Sequence, residues 1–208
     1  MAQWNRTKLL TERLAHKGKI IYIDNEPYYK AMFKGEKYEL PVIHRDSRIL
    51  DGVCLGRSPR EAFFVASHSH ALGELKQEVI KRASDSGFIR RNRILESIYN
   101  VVGEGMPYDD ERVKYIIEKY GVGDDGLISI GTFIREGAGV CRHHAVTCGA
   151  LIELLSKDSR LINSDSNPRG RPSADRNSQG DYAHAWARYE SFSGQTVILD
   201  VAQEFLVF

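Results

Sequence analysis

Apolar and polar residues follow three different rhythms along this chain, and each rhythm predicts a different kind of element. Over residues 19–43 the apolar positions come in short runs typical of strands: Ile20-Ile21-Tyr22-Ile23, Tyr28 to Phe33, and Lys37 to Val42. Asp24-Asn25-Glu26-Pro27 and Lys34-Gly35-Glu36 separate the runs and read as turns. Residues 45–60, with Gly52, Gly56 and Pro59, read as loop. A helical rhythm then takes over. Leu72, Leu75, Val79 and Ala83 predict a helix ending at Gly87, and Ile94, Ile98 and Val101 a second ending near Gly103. From Asp110 to Tyr120, Val113, Ile116 and Ile117 share one face, and Gly121 is a natural stop.

The most apolar helical pattern opens at Val140-Cys141, just after Ser129 to Glu136 and Gly137-Ala138-Gly139. Cys141, Ala145, Cys148, Ile152 and Leu155 recur at steps of four and three, and Leu151 and Leu154 widen the stripe. The pattern predicts a central, mostly buried helix with Cys141 in its first turn. Residues 156–181 contain almost nothing to bury after Leu161-Ile162 and read as a long polar loop, a length that is functional or disordered in compact domains. Strands over Tyr182 to Glu190 and Thr196 to Ala202 follow, joined through Ser191 to Gln195 as a hairpin. No internal repeat and no heptad pattern is present.

Composition changes the picture only by exclusion. Hydrophobic residues make up 42% of the chain, enough for a real core. Lys and Arg number 29 against 28 for Asp and Glu, so no global field favours nucleic acid or an acidic membrane. The local cluster Arg90-Arg91-Asn92-Arg93 reads as a solvated helix face. Three widely spaced cysteines, Cys54, Cys141 and Cys148, argue for reduced thiols rather than a disulfide framework. Residues 1–19 hold no apolar stretch of signal-peptide length, and no run is long enough to span a bilayer. The expectation is a soluble, intracellular protein, with signal-less export left open.

Candidate chemistry centres on Cys141. A thiol with an ordinary pKa of about 8.5 is a weak nucleophile, and a helix start supplies free N–H groups and a positive dipole end that favour thiolate. The same N–H groups can face a tetrahedral oxyanion, and Gly139 removes bulk where a substrate backbone would approach. A general base must stand nearby. His184 offers one, on a strand face shared with Tyr182, Trp186 and Arg188, while Ala183, Ala185 and Ala187 suit close packing on the other face. With all five loop residues unpaired, Glu190 faces Thr196 and Trp186 faces Asp200. His184 and Asp200 are then diagonal neighbours, about 7–8 Å apart between backbones. Asp200 could orient the imidazole, and a slip of one residue would put the pair on opposite faces.

Plainer readings stand beside this one. A cysteine on an apolar helix face is usually core, and Cys148 and Cys54 are assigned there. Arg142 and His143 could touch an acidic substrate group, but a structural role is preferred; Tyr182 and Trp186 could line a cleft or fill a core. Zinc is the rival chemistry, with Cys141, His143, His144 and His184, or His68 and His70, as ligand types. Yet no Cys-x-x-Cys or His-Glu-x-x-His spacing occurs, and neighbouring helical residues such as His143 and His144 point about 100° apart.

Gly139-Val140-Cys141, His184-Ala185-Trp186 and Leu199-Asp200 resemble the three signature blocks of the transglutaminase-like superfamily, and Met106-Pro107-Tyr108-Asp109 is similar to a tyrosine-containing stretch that recurs there. The resemblance covers residues 94–202. Ile130-Gly131 followed by Gly139 to Ala145 further resembles the "enhanced disease resistance" type of domain that precedes the kinase in plant Raf-like kinases. Tyr38 to Arg48 and Glu74-Leu75-Lys76 are weakly similar to the same domain. The resemblance implies a papain-like α+β fold, with a central helix carrying the cysteine packed on an antiparallel sheet carrying His and Asp. It also implies a strand soon after that helix, for which Arg160-Leu161-Ile162 is the nearest segment. Glu204 to Phe208 is apolar enough to be a further strand.

By that resemblance Cys141 is nucleophile, His184 general base and acid, and Asp200 orienter, with Gly139, Arg142, Tyr182 and Trp186 as substrate-binding candidates. Residues 94–208 are expected to form the catalytic core, with the polar loop at 156–181, and residues 1–93 an elaboration of the same domain. The expected function is cysteine-dependent acyl transfer on peptide or side-chain amides through a thioester: a protease, amidase or deamidase. The partner is a protein or peptide substrate, without nucleic acid, membrane, metal or cofactor. The competing reading is a regulatory or protein-interaction domain that keeps the fold without the reaction, and it rests on analogy alone.

Overall fold

The structure is a computed structural model that describes residues 5–33, 36–45, 47–56, 61–84, 90–121, 127–161, 165–177 and 183–208. It is α+β, with three sheets and six α-helices among the described residues. Helix α1 (Asn5–His16) leads into an antiparallel meander of β1 (Ile20–Ile23), β2 (Glu26–Phe33) and β3 (Glu36–Pro41). Ile23 pairs with Glu26, so the β1–β2 turn has only Asp24 and Asn25 at its centre. Both have positive φ, +50° and +68°, as a two-residue hairpin turn requires. Pro27, read above as part of this turn, already pairs with Tyr22.

Helix α1 was not predicted. Its inward positions include Thr7 and Thr11, both buried, alongside Leu14, and the Thr11 hydroxyl donates to the Thr7 carbonyl at 2.7 Å. Threonines on the inward face, of which Thr11 bonds back along the helix, hide that face from a reading of apolar spacing. The segment read as loop between residues 45 and 60 contributes a two-residue strand, β4 (Val53–Cys54). It pairs with β5 (Phe63–Phe64), which lies parallel to β6 (Ile128–Ser129).

The predicted helices are present. They are α2 (His70–Ser84), α3 (Arg91–Gly105), α4 (Asp110–Tyr120) and, after a short α5 (Ile130–Arg135) that was not predicted, α6 (Cys141–Ser156). Gly87, the expected stop of α2, lies outside the described residues. Helix α4 starts where Asp109 accepts the Arg112 N–H at 2.8 Å and ends at Gly121. Arg91 to Arg93 form the first turn of α3, where Asn92 and Arg93 are exposed, as the solvated-face reading expected.

Helix α6 is the centre of the molecule. It packs on α2, α3 and α5, and on a sheet ordered β10-β9-β8-β7. That sheet comprises β7 (Gly170–Arg176), β8 (Ala185–Ser191), β9 (Thr196–Asp200) and β10 (Phe205–Val207), with a 3-10 turn at Val201–Gln203. Ala145, Cys148, Ile152 and Leu155 of α6 share one apolar cluster with Ala185, Ala187, Tyr189, Val197 and Leu199. Mid-helix Gly149 leaves room for Ile49, whose Cδ1 would lie 2.2 Å from any Cβ there.

Strand β7 corrects the reading of residues 156–181 as one long polar loop. Arg160-Leu161, the segment suggested for a strand, forms a turn, and Ile162 lies outside the described residues. The strand comes later and carries no large apolar side chain. Ser173, Asp175 and Arg176 are nonetheless buried. The Ser173 hydroxyl donates to Asp175 at 2.9 Å, Arg188 Nε stands 3.2 Å from the same carboxylate, and Arg176 donates to the Leu55 carbonyl at 3.0 Å. Pro172 is tolerated because β7 is an edge strand.

The β8–β9 hairpin has the expected register, from Glu190↔Thr196 to Ala187↔Leu199. Its loop is tighter than five unpaired residues, because the Ser191 N–H donates to the Gln195 carbonyl at 2.8 Å. Among the described residues, no helix is long and apolar enough to cross a membrane.

Candidate active site

The N-terminus of α6, the end of β7, the start of β8 and the residue after Met106-Pro107 meet around a cavity of about 350 Å³. Cys141 and His184 both line it. Cys141 is the first residue of α6, where N–H groups have no acceptor within the helix. Gly139 sets the approach: it bridges to Tyr108, and a Cβ there would lie 3.0 Å from the His144 ring and from Met106 Cε. Close packing beneath the helix start therefore accounts for this glycine, which does not itself line the cavity.

His184 stands just before β8 and is fixed from both sides. Its backbone N–H donates to Asn177 Oδ1 and its carbonyl accepts the Asn177 N–H, both at 3.0 Å. Its Nε2 lies 2.6 Å from Asp200 Oδ2, the pairing that the hairpin register implied. Asp200 is buried, and its other oxygen accepts the Gln203 N–H at 3.2 Å. Trp186 stacks on the His184 ring at 5.9 Å and 27° between planes, covering the imidazole without lining the cavity. With Nε2–H given to Asp200, Nδ1 is the nitrogen left to exchange a proton, and it has no partner among the described residues.

The sulfur of Cys141 is partly buried, and its surroundings pull in two directions. Burial pushes the thiol pKa up. The backbone N–H of Ala185, the Arg142 charge, the Arg142 N–H and the Arg176 charge all favour thiolate, but they do not cancel the burial. The thiolate-stabilising helix start expected from sequence is therefore outweighed in the resting protein. Ala185 directly follows His184, so its influence ties the sulfur to the chain segment that bears the imidazole.

Three other titratable groups here are structural. His143 is fully buried between Phe63 and Phe133, with ring centroids 4.6 and 4.2 Å away, and its Nδ1 accepts the Val140 N–H at 3.1 Å. His144 Nε2 bonds the Met106 carbonyl at 2.6 Å. Burial lowers both imidazole pKa values, His143's far below the ordinary range, so both are neutral near pH 7. Burial first, and then the Asp200 charge, push the Cys148 thiol far up. Among the described residues no three His, Cys, Asp or Glu side chains are grouped to hold a metal ion.

Of the substrate-binding candidates, Arg142 lines the cavity, Gly139 and Trp186 sit behind it, and Tyr182 lies outside the described residues. Cys54 and Cys148 are buried, as the core reading expected. Two cavity residues escaped the reading of the sequence. Asn177 pins His184, and Arg176 reaches past β4 to the Leu55 carbonyl and the Cys54 sulfur. Both belong to the stretch read as loop, where nothing in the residue pattern marked them.

No protein-family model, no curated protein and no solved structure matches the chain.

Proposed function

We propose that the chain is a cysteine-dependent acyl-transfer enzyme with a transglutaminase-like, papain-type core, acting on peptide or side-chain amides through a thioester. The observation that carries this reading is the 2.6 Å pairing of His184 Nε2 with Asp200, which leaves Nδ1 free beside a cavity that Cys141 also lines. Because burial holds the resting thiol neutral, His184 takes its proton during attack rather than beforehand. The sulfur adds to the carbonyl carbon, and the Cys141 N–H at the start of α6 faces the developing oxyanion. As the tetrahedral species collapses, the C–N bond breaks and His184 returns the proton to the leaving amine. Water or an acceptor amine then attacks the thioester, gives its proton to His184, and the thiol is restored.

An activated ester tests this without knowledge of the natural substrate. Incubation with p-nitrophenyl acetate should release a burst of p-nitrophenolate stoichiometric with protein and leave Cys141 acetylated, as peptide mass spectrometry would show. The absence of a burst, or a burst that survives in Cys141→Ala, would refute the reading.

A second reading draws on the raised thiol pKa: a regulatory domain that retains the fold and not the reaction. It requires that Cys141→Ala leave biological function intact.

A further inference from the structure

Apart from the catalytic pair, the charges around the cavity are arranged in an uneven way. Arg142 and Arg176 both line it and both act on the Cys141 sulfur. Neither has a carboxylate partner among the described residues. Arg142 Nε is buried without a hydrogen-bond partner. Arg176 is only 9% exposed, and its guanidinium bonds the Leu55 carbonyl and the Cys54 sulfur rather than a carboxylate.

Several other guanidinium groups among the described residues face carboxylates, whereas Arg91 and Arg135 bond neutral oxygens of Asn167 and Thr132. Arg82 bonds Glu78 and Glu104, Arg112 bonds Glu136, Arg160 bonds Asp158, and Arg188 pairs with Asp175 and Glu190. A desolvated cation without a counter-charge is costly, and an incoming anion removes that cost. The fork of a guanidinium matches the two oxygens of a carboxylate.

We propose that Arg142 and Arg176 form a carboxylate-binding subsite, so that the acyl substrate carries a carboxylate next to the carbonyl that Cys141 attacks. This rests on the catalytic reading above and adds the substrate's charge to it. The remaining charged side chains that line the cavity are Lys114, Glu61 and Asp110. Asp110 raises the Tyr108 phenol pKa, and neither carboxylate forms an ion pair with the two arginines among the described residues. Lys114 is itself paired with Glu111 at 2.6 Å, so Arg142 and Arg176 are the lining cations, among the described residues, without a carboxylate partner.

The test compares two alkylating agents of nearly equal size, anionic iodoacetate and neutral iodoacetamide, in the full chain at low ionic strength. The ratio of their rates at Cys141 should exceed the ratio measured on the unfolded chain by about tenfold, and added salt should reduce it. Arg142→Gln and Arg176→Gln should each bring the ratio most of the way back. Arg176→Lys, which keeps the charge, should preserve part of it. If Arg176→Gln fails to fold, the salt dependence of the wild-type ratio and the Arg142→Gln variant still decide the matter. Rapid, His184-dependent capture of iodoacetamide with no preference for iodoacetate would overturn the subsite and leave the catalytic reading standing. Capture of Cys141 by both reagents at the pace of Cys54 and Cys148 would overturn both.

Discussion

The first turn of α6 and its middle, seven residues further on, each place a cysteine on the same apolar stripe, yet they give the two thiols opposite surroundings. Cys148 is enclosed by the core, and nothing near it favours a negative charge. Cys141 pays part of the same burial cost but borders a cavity, two cations and two backbone N–H groups. The difference comes from position in the helix and not from residue type. Only the first turn has N–H groups to spare, and only there does the chain segment of His184 arrive. A thiol becomes a candidate nucleophile through what its neighbours leave unpaired.

The largest expected effect separates the two thiols directly. In the folded protein, iodoacetamide should modify Cys141 on the order of 10³-fold faster than Cys148, whose capture must wait for an opening of the core. In denaturant the two rates should converge. Comparable rates in the folded state would break the contrast.

A smaller effect sharpens it. Asp200→Asn can still accept the Gln203 N–H but loses the charge that orients His184. Capture of Cys141 should slow by roughly tenfold to a hundredfold, with Cys148 unchanged. An equal change at both thiols, in site-resolved rates, would point to a loosened fold instead.

The smallest effect concerns pH. Burial raises the folded-state pKa of Cys148 and, in the same direction, of Cys141. Below the unfolded thiol value of about 8.5 each thiol is protonated in both states, and its contribution to stability is fully present. Above it the unfolded chain ionises while the folded one keeps its proton, so stability falls as pH rises toward the folded pKa. Each such group contributes up to about 1.4 kcal/mol per pH unit. Urea denaturation between pH 8 and 10.5 should show a shallower decline for Cys148→Ala than for wild type. Parallel curves would mean that the Cys148 thiol ionises as easily folded as unfolded.

The legibility of these parts from sequence follows the same physics. The register of the β8–β9 hairpin could be read, though not its strand ends, because Gly194 marks its loop and alternating Ala185, Ala187 and Tyr189 fix its buried face, so the pairing of His184 with Asp200 followed. Helix α6 was legible for the same reason, its apolar stripe being long and periodic. Strand β7 was not, because Ser173 and Asp175 are buried with each other and Arg188, and Arg176 with the Leu55 carbonyl and the Cys54 sulfur, rather than by being apolar. Helix α1 was missed because two of its inward positions, Thr7 and Thr11, are polar. Arg176 and Asn177 disappeared with β7, and the subsite proposed here with them. The balance at Cys141 was misjudged too, since the thiolate-favouring helix start is visible in sequence and the depth of burial is not.

The most direct measurement is the rate of iodoacetamide capture at Cys141, resolved by mass spectrometry at pH 7, in wild type and in His184→Ala. The expected result is selective capture of Cys141 in the wild type and a fall on the order of 10²-fold or more in the variant, with Cys54 and Cys148 slow in both. A Cys141 rate indifferent to the loss of the imidazole would contradict the account, because sulfur and ring would then share a cavity without sharing a proton.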